Sequence, residues 1–146
     1  MIIPAVILEI KATNKKEAID ELSQLLFERG KISDRKVYVD DILSREETMS
    51  TYCGYGVAIP HSVSPVVNEA AFAFGRSSGI VWDDDDEPVK FIMLLAIPTL
   101  KEGEDSIHIE MMSSIATLAL EDEIRETWAS ATSIDEIIDT FKNQAA

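Results

Sequence analysis

The segment Val89–Ile97 constrains this chain more than any other. It is apolar at every position but Lys90. It is too short for a membrane span, which needs roughly 18–20 apolar residues. It reads instead as a central β-strand buried on both faces. Such a strand needs a layer of structure on each side. Amphipathic helices supply those layers most simply, so the expected class is α/β, with a mixed central β-sheet packed between helices.

The flanking segments agree. Val6–Ile10 reads as a first strand. Asn14 followed by Glu17 is a capping box, and Ala18, Ile19, Leu22, Leu25 and Leu26 fall at helical spacing until Gly30 stops the helix. A second helix is expected from Asp34 to about Glu47. Gly54–Ile59 reads as a glycine-punctuated strand ended by Pro60. Glu69–Gly75 alternates small and aromatic residues as a half-buried strand, and Ile80-Val81-Trp82 reads as another short one. The last third is helical. Ser106 to about Leu120 carries Met112, Ile115 and Ala119 on one stripe, and Asp122–Trp128 is a shorter helix. Ser133 with Glu136 forms a second capping box ahead of Ile137, Ile138 and Phe141. No repeat, low-complexity tract or linker divides residues 1–146, which are expected to form one domain.

Charge narrows the partners. The chain has 13 Lys and Arg against 27 Asp and Glu, a net charge of −14. A nucleic-acid backbone would be repelled, so no nucleic-acid partner is expected. The N-terminal Met1-Ile2-Ile3-Pro4 lacks the basic region and long apolar run of a signal peptide. The single cysteine, Cys53, excludes an internal disulfide, and a cytoplasmic protein with no membrane insertion is the expectation.

Few residues carry chemistry. There are two histidines. His61 follows Pro60, which cannot continue a central strand, so His61 is expected where the chain leaves the sheet, at a strand's carboxyl end. An exposed loop histidine is the plain alternative. His108 lies near a helix start on the stripe of Met112, Ile115 and Ala119, and should face inward as a neutral ring. A partly buried structural histidine is the alternative there. Arg45 ends the second helix, and a guanidinium suits phosphate oxygens, although a surface role serves equally. Ser50 and Thr51 are possible supporting hydroxyl donors. Cys53 has no neighbouring partner and reads as packing. Asp83–Asp86 lacks the spaced ligands of a calcium loop and reads as a solvated turn. Two histidines in separate segments are too few for a zinc site, and no phosphate-binding glycine loop is present.

Read as a string, Ser44-Arg45-Glu46-Glu47, Ser50-Thr51 and Gly54-Tyr55-Gly56-Val57-Ala58-Ile59-Pro60-His61-Ser62 resemble the signature of enzyme IIA domains of the phosphoenolpyruvate-dependent sugar phosphotransferase system (PTS), fructose–mannitol type, EIIA type-2. Gly79-Ile80-Val81-Trp82-Asp83, Pro88-Val89-Lys90-Phe91, Ala96-Ile97-Pro98, the helix from His108, Glu123-Ile124-Arg125 and Ser133–Ile138 continue the likeness along nearly the whole chain. The Gly-x-Ala-Ile-Pro-His segment is its most specific part.

The resemblance implies that His61 is the phosphoacceptor, with His108 and Arg45 stabilising the phosphoryl group. It implies a phosphotransferase component without cofactor or metal. It implies HPr as donor, a IIB cysteine as recipient and the membrane IIC component as an indirect partner. Pro-His-Ser and Trp-Asp look closest to the fructose branch. Val63 departs from it, standing where many fructose-type members have lysine or another polar residue. Two alternatives stand beside this one: a regulatory IIA domain that signals through its phosphorylation state, and a metal-binding hydrolase using His61 and His108.

Overall fold

The computed structural model describes residues 3–84, 86–99 and 105–142, with side chains described from residue 109 onward in the last stretch. The central strand is where its apolar run requires. β6 (Val89–Pro98) lies between β5 (Ala71–Ile80), antiparallel to it, and β3 (Val57–Ala58) and β4 (His61–Ser64), both parallel to it. β1 (Ala5–Ile7) extends the sheet beside β5 in parallel, and β2 (Tyr52–Gly54) extends it beside β3 in antiparallel. The sheet is therefore mixed and six-stranded.

Strand alternation divides the apolar run between two cores. Ile92, Leu94 and Ala96 of β6, with Ala71 and Ala73 of β5, face α1 (Lys15–Glu28) and α2 (Arg35–Thr48). They meet Ile19, Leu22 and Leu26 of α1 and Tyr38, Val39 and Ile42 of α2. Phe91, Met93 and Leu95, with Phe72 and Phe74, face the opposite layer of α3 (Asp105–Ala119), α4 (Asp122–Ser130) and α5 (Ile134–Lys142). There Trp128 and Phe141 pack against the strand aromatics, with Phe72 and Phe141 edge-to-face at a centroid distance of 5.2 Å. Small residues on one face let α1 approach closely. At Gly75 a Cβ would collide with Ile10 and crowd Leu22.

The caps expected at Asn14 and Ser133 are made, and Asp34, expected only as the start of the second helix, caps it as well. Asn14 Oδ1 accepts from Glu17 N–H at 2.9 Å, and Asp34 Oδ1 accepts from Val37 N–H at 3.1 Å. Ser133 and Glu136 cap each other: Ser133 N–H donates to Glu136 Oε2 at 2.9 Å and Glu136 N–H donates to Ser133 Oγ at 3.3 Å.

Three strand expectations need correction. Gly54–Ile59 is a hairpin turn followed by a strand. Tyr55 and Gly56 both have positive φ, 57° and 73°, as a two-residue turn matching the sheet's twist requires. Ile80 ends β5, which is longer than Glu69–Gly75 suggested, and Val81 and Trp82 lie outside any strand. Pro60 does not take the chain out of the sheet. β3 pairs Val57 with Phe91 and Ala58 with Ile92, and β4 pairs His61 with Leu95, so one register spans Ile59–Pro60. Proline removes one N–H from this edge; its carbonyl still accepts from Leu95 N–H at 2.9 Å.

Candidate active site

Because β4 resumes the register of β3, His61 sits on a sheet edge rather than in a loop. Its ring is half-buried. Ile59, two residues back, turns its backbone groups away from β6. Its N–H donates to Thr51 O at 3.1 Å, and its carbonyl lies 2.8 Å from His61 Nδ1. A carbonyl oxygen only accepts, so Nδ1 carries the proton. Arg45 approaches the other ring nitrogen, with Nε and Nη2 each 3.4 Å from His61 Nε2. Guanidinium nitrogens only donate, so Nε2 offers a lone pair. This geometry fits a ring that carries its proton on Nδ1 and turns Nε2 toward a cation. The 3.4 Å separations are at the long limit for hydrogen bonds.

Arg45 reaches this position from the last turn of α2. Tyr38, Asp41 and Arg45, at i, i+3 and i+7, share one face of that helix. Tyr38 O–H donates to Leu95 O at 2.6 Å, and Ser64 O–H donates to Asp41 Oδ2 at 2.6 Å. The same face that brings the guanidinium to His61 therefore holds β4 and β6 beneath it.

A pocket of about 200 Å³ opens here, lined by Arg45, Met49, Ser50, Thr51, Tyr52, Cys53, Ile59, His61, Met112 and Ala116. It brings together His61, Arg45, Ser50 and Thr51. The Ser50 and Thr51 hydroxyl protons are already committed, to Asp83 Oδ2 and Glu46 Oε1 respectively. His108 lies in the first turn of α3, and its side chain is outside the described residues. Cys53 is exposed rather than packed in the core. Its thiol is nevertheless crowded by protein, and this desolvation raises its pKa; the Glu46 carboxylate adds to the rise, and a backbone hydrogen bond from Ile59 opposes it. Asp83, Asp84 and Asp86 form a turn, with Asp86 N–H donating to Asp83 O at 3.2 Å.

Residues 3–144 match the family model described as "Phosphoenolpyruvate-dependent sugar phosphotransferase system, EIIA 2". The chain belongs to this EIIA family. It is 38% identical over 134 residues to the PTS system fructose-specific EIIABC component of Bacillus subtilis, a match covering 90% of this chain and 21% of that protein. It is 34% identical to the 2-O-alpha-mannosyl-D-glycerate-specific EIIABC component of Escherichia coli, covering 96% of the chain and 21% of that protein. The EIIA chain thus spans about a fifth of the length of these two relatives. Against the PTS fructose-specific EIIA component of Haloferax volcanii it is 32% identical, with 92% and 86% covered. Among solved structures, the nitrogen regulatory protein IIA-Ntr of Neisseria meningitidis superposes with a TM-score of 0.83 at 29% identity, covering 92% and 91% of the two chains. The complex of IIA mannitol with phosphorylated IIB mannitol from Escherichia coli shares the fold, with a TM-score of 0.80 at 23% identity and 94% of each chain covered. No helix among the described residues is long and apolar enough to cross a membrane.

Sequence reasoning passed over Glu46 and Ile59. Glu46 falls on the buried stripe of α2 with Tyr38, Val39 and Ile42. A carboxylate at a core position of a helix was the readable signal. Ile59 acts through its carbonyl, which no side-chain pattern reports.

Proposed function

We propose that this EIIA domain is a cytoplasmic phosphocarrier that receives a phosphoryl group on His61 Nε2 from a phosphohistidine of HPr. It then delivers the group to a cysteine of a IIB partner for sugar uptake of the fructose type, with a membrane IIC component downstream. The observation that carries this is the setting of the ring: Nδ1 lies 2.8 Å from the Ile59 carbonyl and Nε2 lies 3.4 Å from Arg45 Nε.

The Nε2 lone pair attacks phosphorus in line. The donor's N–P bond breaks and its electron pair returns to the donor ring. His61 keeps its Nδ1 proton throughout, so no proton need move at this residue. In onward transfer a thiolate sulfur attacks phosphorus, and the N–P electron pair returns to Nε2. Phosphoryl transfer spreads charge over three oxygens, so the protein contributes position and donors. Arg45 supplies charged donors, and His108, four residues before the pocket residue Met112, is the other proposed donor. A local cation answers the difficulty of holding phosphate on a chain of net charge −14. The relatives named for sugars favour transport. The likeness to a nitrogen regulatory protein favours the same chemistry put to signalling, and adjacent IIB and IIC genes would favour transport over it.

Incubation with phosphoenolpyruvate, enzyme I and HPr should add one acid-labile phosphate to the protein. His61→Ala should abolish that gain. Arg45→Ala should slow it by about 10²-fold, less than the roughly 10³–10⁵ of arginines in other phosphoryl transfers, because histidine-to-histidine transfer is nearly balanced. Full labelling of His61→Ala protein would reject the assignment.

A further inference from the structure

The segment that aims the Ile59 carbonyl is anchored to a buried charge. Glu46 is only 7% exposed. Its Oε2 pairs with Lys15 Nζ at 3.0 Å and accepts from Thr51 N–H at 3.3 Å, while Oε1 accepts the Thr51 hydroxyl. Thr51 O accepts Ile59 N–H at 3.1 Å, and Ile59 O receives the Nδ1 proton of His61 at 2.8 Å. An unbroken line of hydrogen bonds therefore runs from Lys15 through Glu46, Thr51 and Ile59 to the imidazole. Asp83 holds the same segment from its other side, taking the Ser50 hydroxyl and lying 3.8 Å from Lys15 Nζ.

We infer that Glu46 is a positioning residue for the phosphoryl acceptor: acting through Thr51 and Ile59, it keeps His61 in the Nδ1–H tautomer with Nε2 available. The inference rests on the phosphocarrier reading above. Residues 49–51 lie at the protein surface, with Met49 67% exposed, so apolar packing does little to fix them. A buried carboxylate that needs every one of its partners does so instead. If the segment moves, the Ile59 carbonyl loses its aim, and the ring is free to flip or to carry its proton on Nε2, where it has no lone pair to attack phosphorus.

The test uses Glu46→Gln and Thr51→Val in the full chain. Glu46→Gln removes the charge. Thr51→Val removes only the hydroxyl link and does not touch Arg45. Nitrogen-15 NMR of the His61 ring should show a single Nδ1–H tautomer in the parent protein and a mixture in both variants. With HPr as donor, kcat for labelling should fall about tenfold in Glu46→Gln and about threefold in Thr51→Val, with KM unchanged because the docking surface is intact; small misplacements cost this much or more. If Glu46→Gln does not fold, Thr51→Val decides. A folded variant that keeps the parent tautomer and rate would overturn the inference. If the parent protein takes no phosphate, the phosphocarrier reading falls, while the ring tautomer still decides whether Glu46 positions His61.

Discussion

Cys53 and His61 line the same pocket, yet their chemical settings oppose each other. His61 presents a basic nitrogen to a guanidinium, whereas the thiol of Cys53 is held protonated by desolvation and by the nearby Glu46 carboxylate. Only the thiolate is a nucleophile. Iodoacetamide should therefore alkylate Cys53 more slowly than a free cysteine at pH 7.5, although the residue is exposed, and the gap should narrow as pH rises into the thiol's own titration range. Alkylation as fast as the free amino acid at neutral pH would refute this. Residue type alone left His61 and Arg45 with plain alternatives; the family resemblance paired them, and the structure places the guanidinium 3.4 Å from the ring. The sequence misled about the backbone at Pro60. The missing N–H was read as the end of a strand, whereas at a sheet edge it costs one ladder bond and the register survives on either side.

At the scale of elements, helices were legible where a cap and an apolar stripe coincided, as at Asn14, Asp34 and Ser133. The short strands were not, because β2, β3 and β4 span two to four residues each and carry too few positions for a period to emerge. Their boundaries are set by partners: Leu95 and Ile92 across the ladder, and Tyr38 and Asp41 from α2. The α5 capping box has a measurable pH signature. The N–H groups of Thr132 and then Ser133 hold the Glu136 carboxyl below the usual glutamate range, with burial weakly opposing. A carboxyl whose folded pKa is depressed stabilises the fold above its unfolded value and loses that contribution as pH falls through the folded one. Glu136→Gln should therefore lower the urea midpoint at pH 7, and the deficit should shrink as pH falls past the ordinary glutamate value of about 4.3 and on through the depressed folded one. A deficit that stays constant down to pH 3 would show that the carboxylate charge is not what caps α5.

Viewed as a whole molecule, the pocket lies on a seam. His61 comes from the sheet edge, Arg45 from the α1–α2 layer, and Met112 and Ala116 from the α3–α5 layer. Sequence periodicity assigns residues to a layer but does not report which edge the layers share, so the meeting of Arg45 with His61 was implied by the family resemblance and not by the pattern of apolar residues. Both layers belong to a chain of net charge −14, and this charge acts on the fold as well as on partners. Self-repulsion among like charges opposes compactness and is screened by salt, with a Debye length that falls from about 30 Å at 0.01 M to about 10 Å at 0.1 M. Salt also weakens ion pairs. Those among the described residues are mostly solvent-facing, such as Arg35–Asp20 and Lys31–Glu69, and such pairs contribute little. Lys15–Glu46 is the exception, and its buried carboxylate is screened far less. Repulsion should therefore dominate, and the thermal midpoint should rise by roughly 2–4 °C between 10 and 200 mM NaCl, the shift that about 1 kcal/mol produces in a domain of this size. A fall in the midpoint over that range would mean that attraction within the fold, Lys15–Glu46 foremost, outweighs the surplus of negative charge.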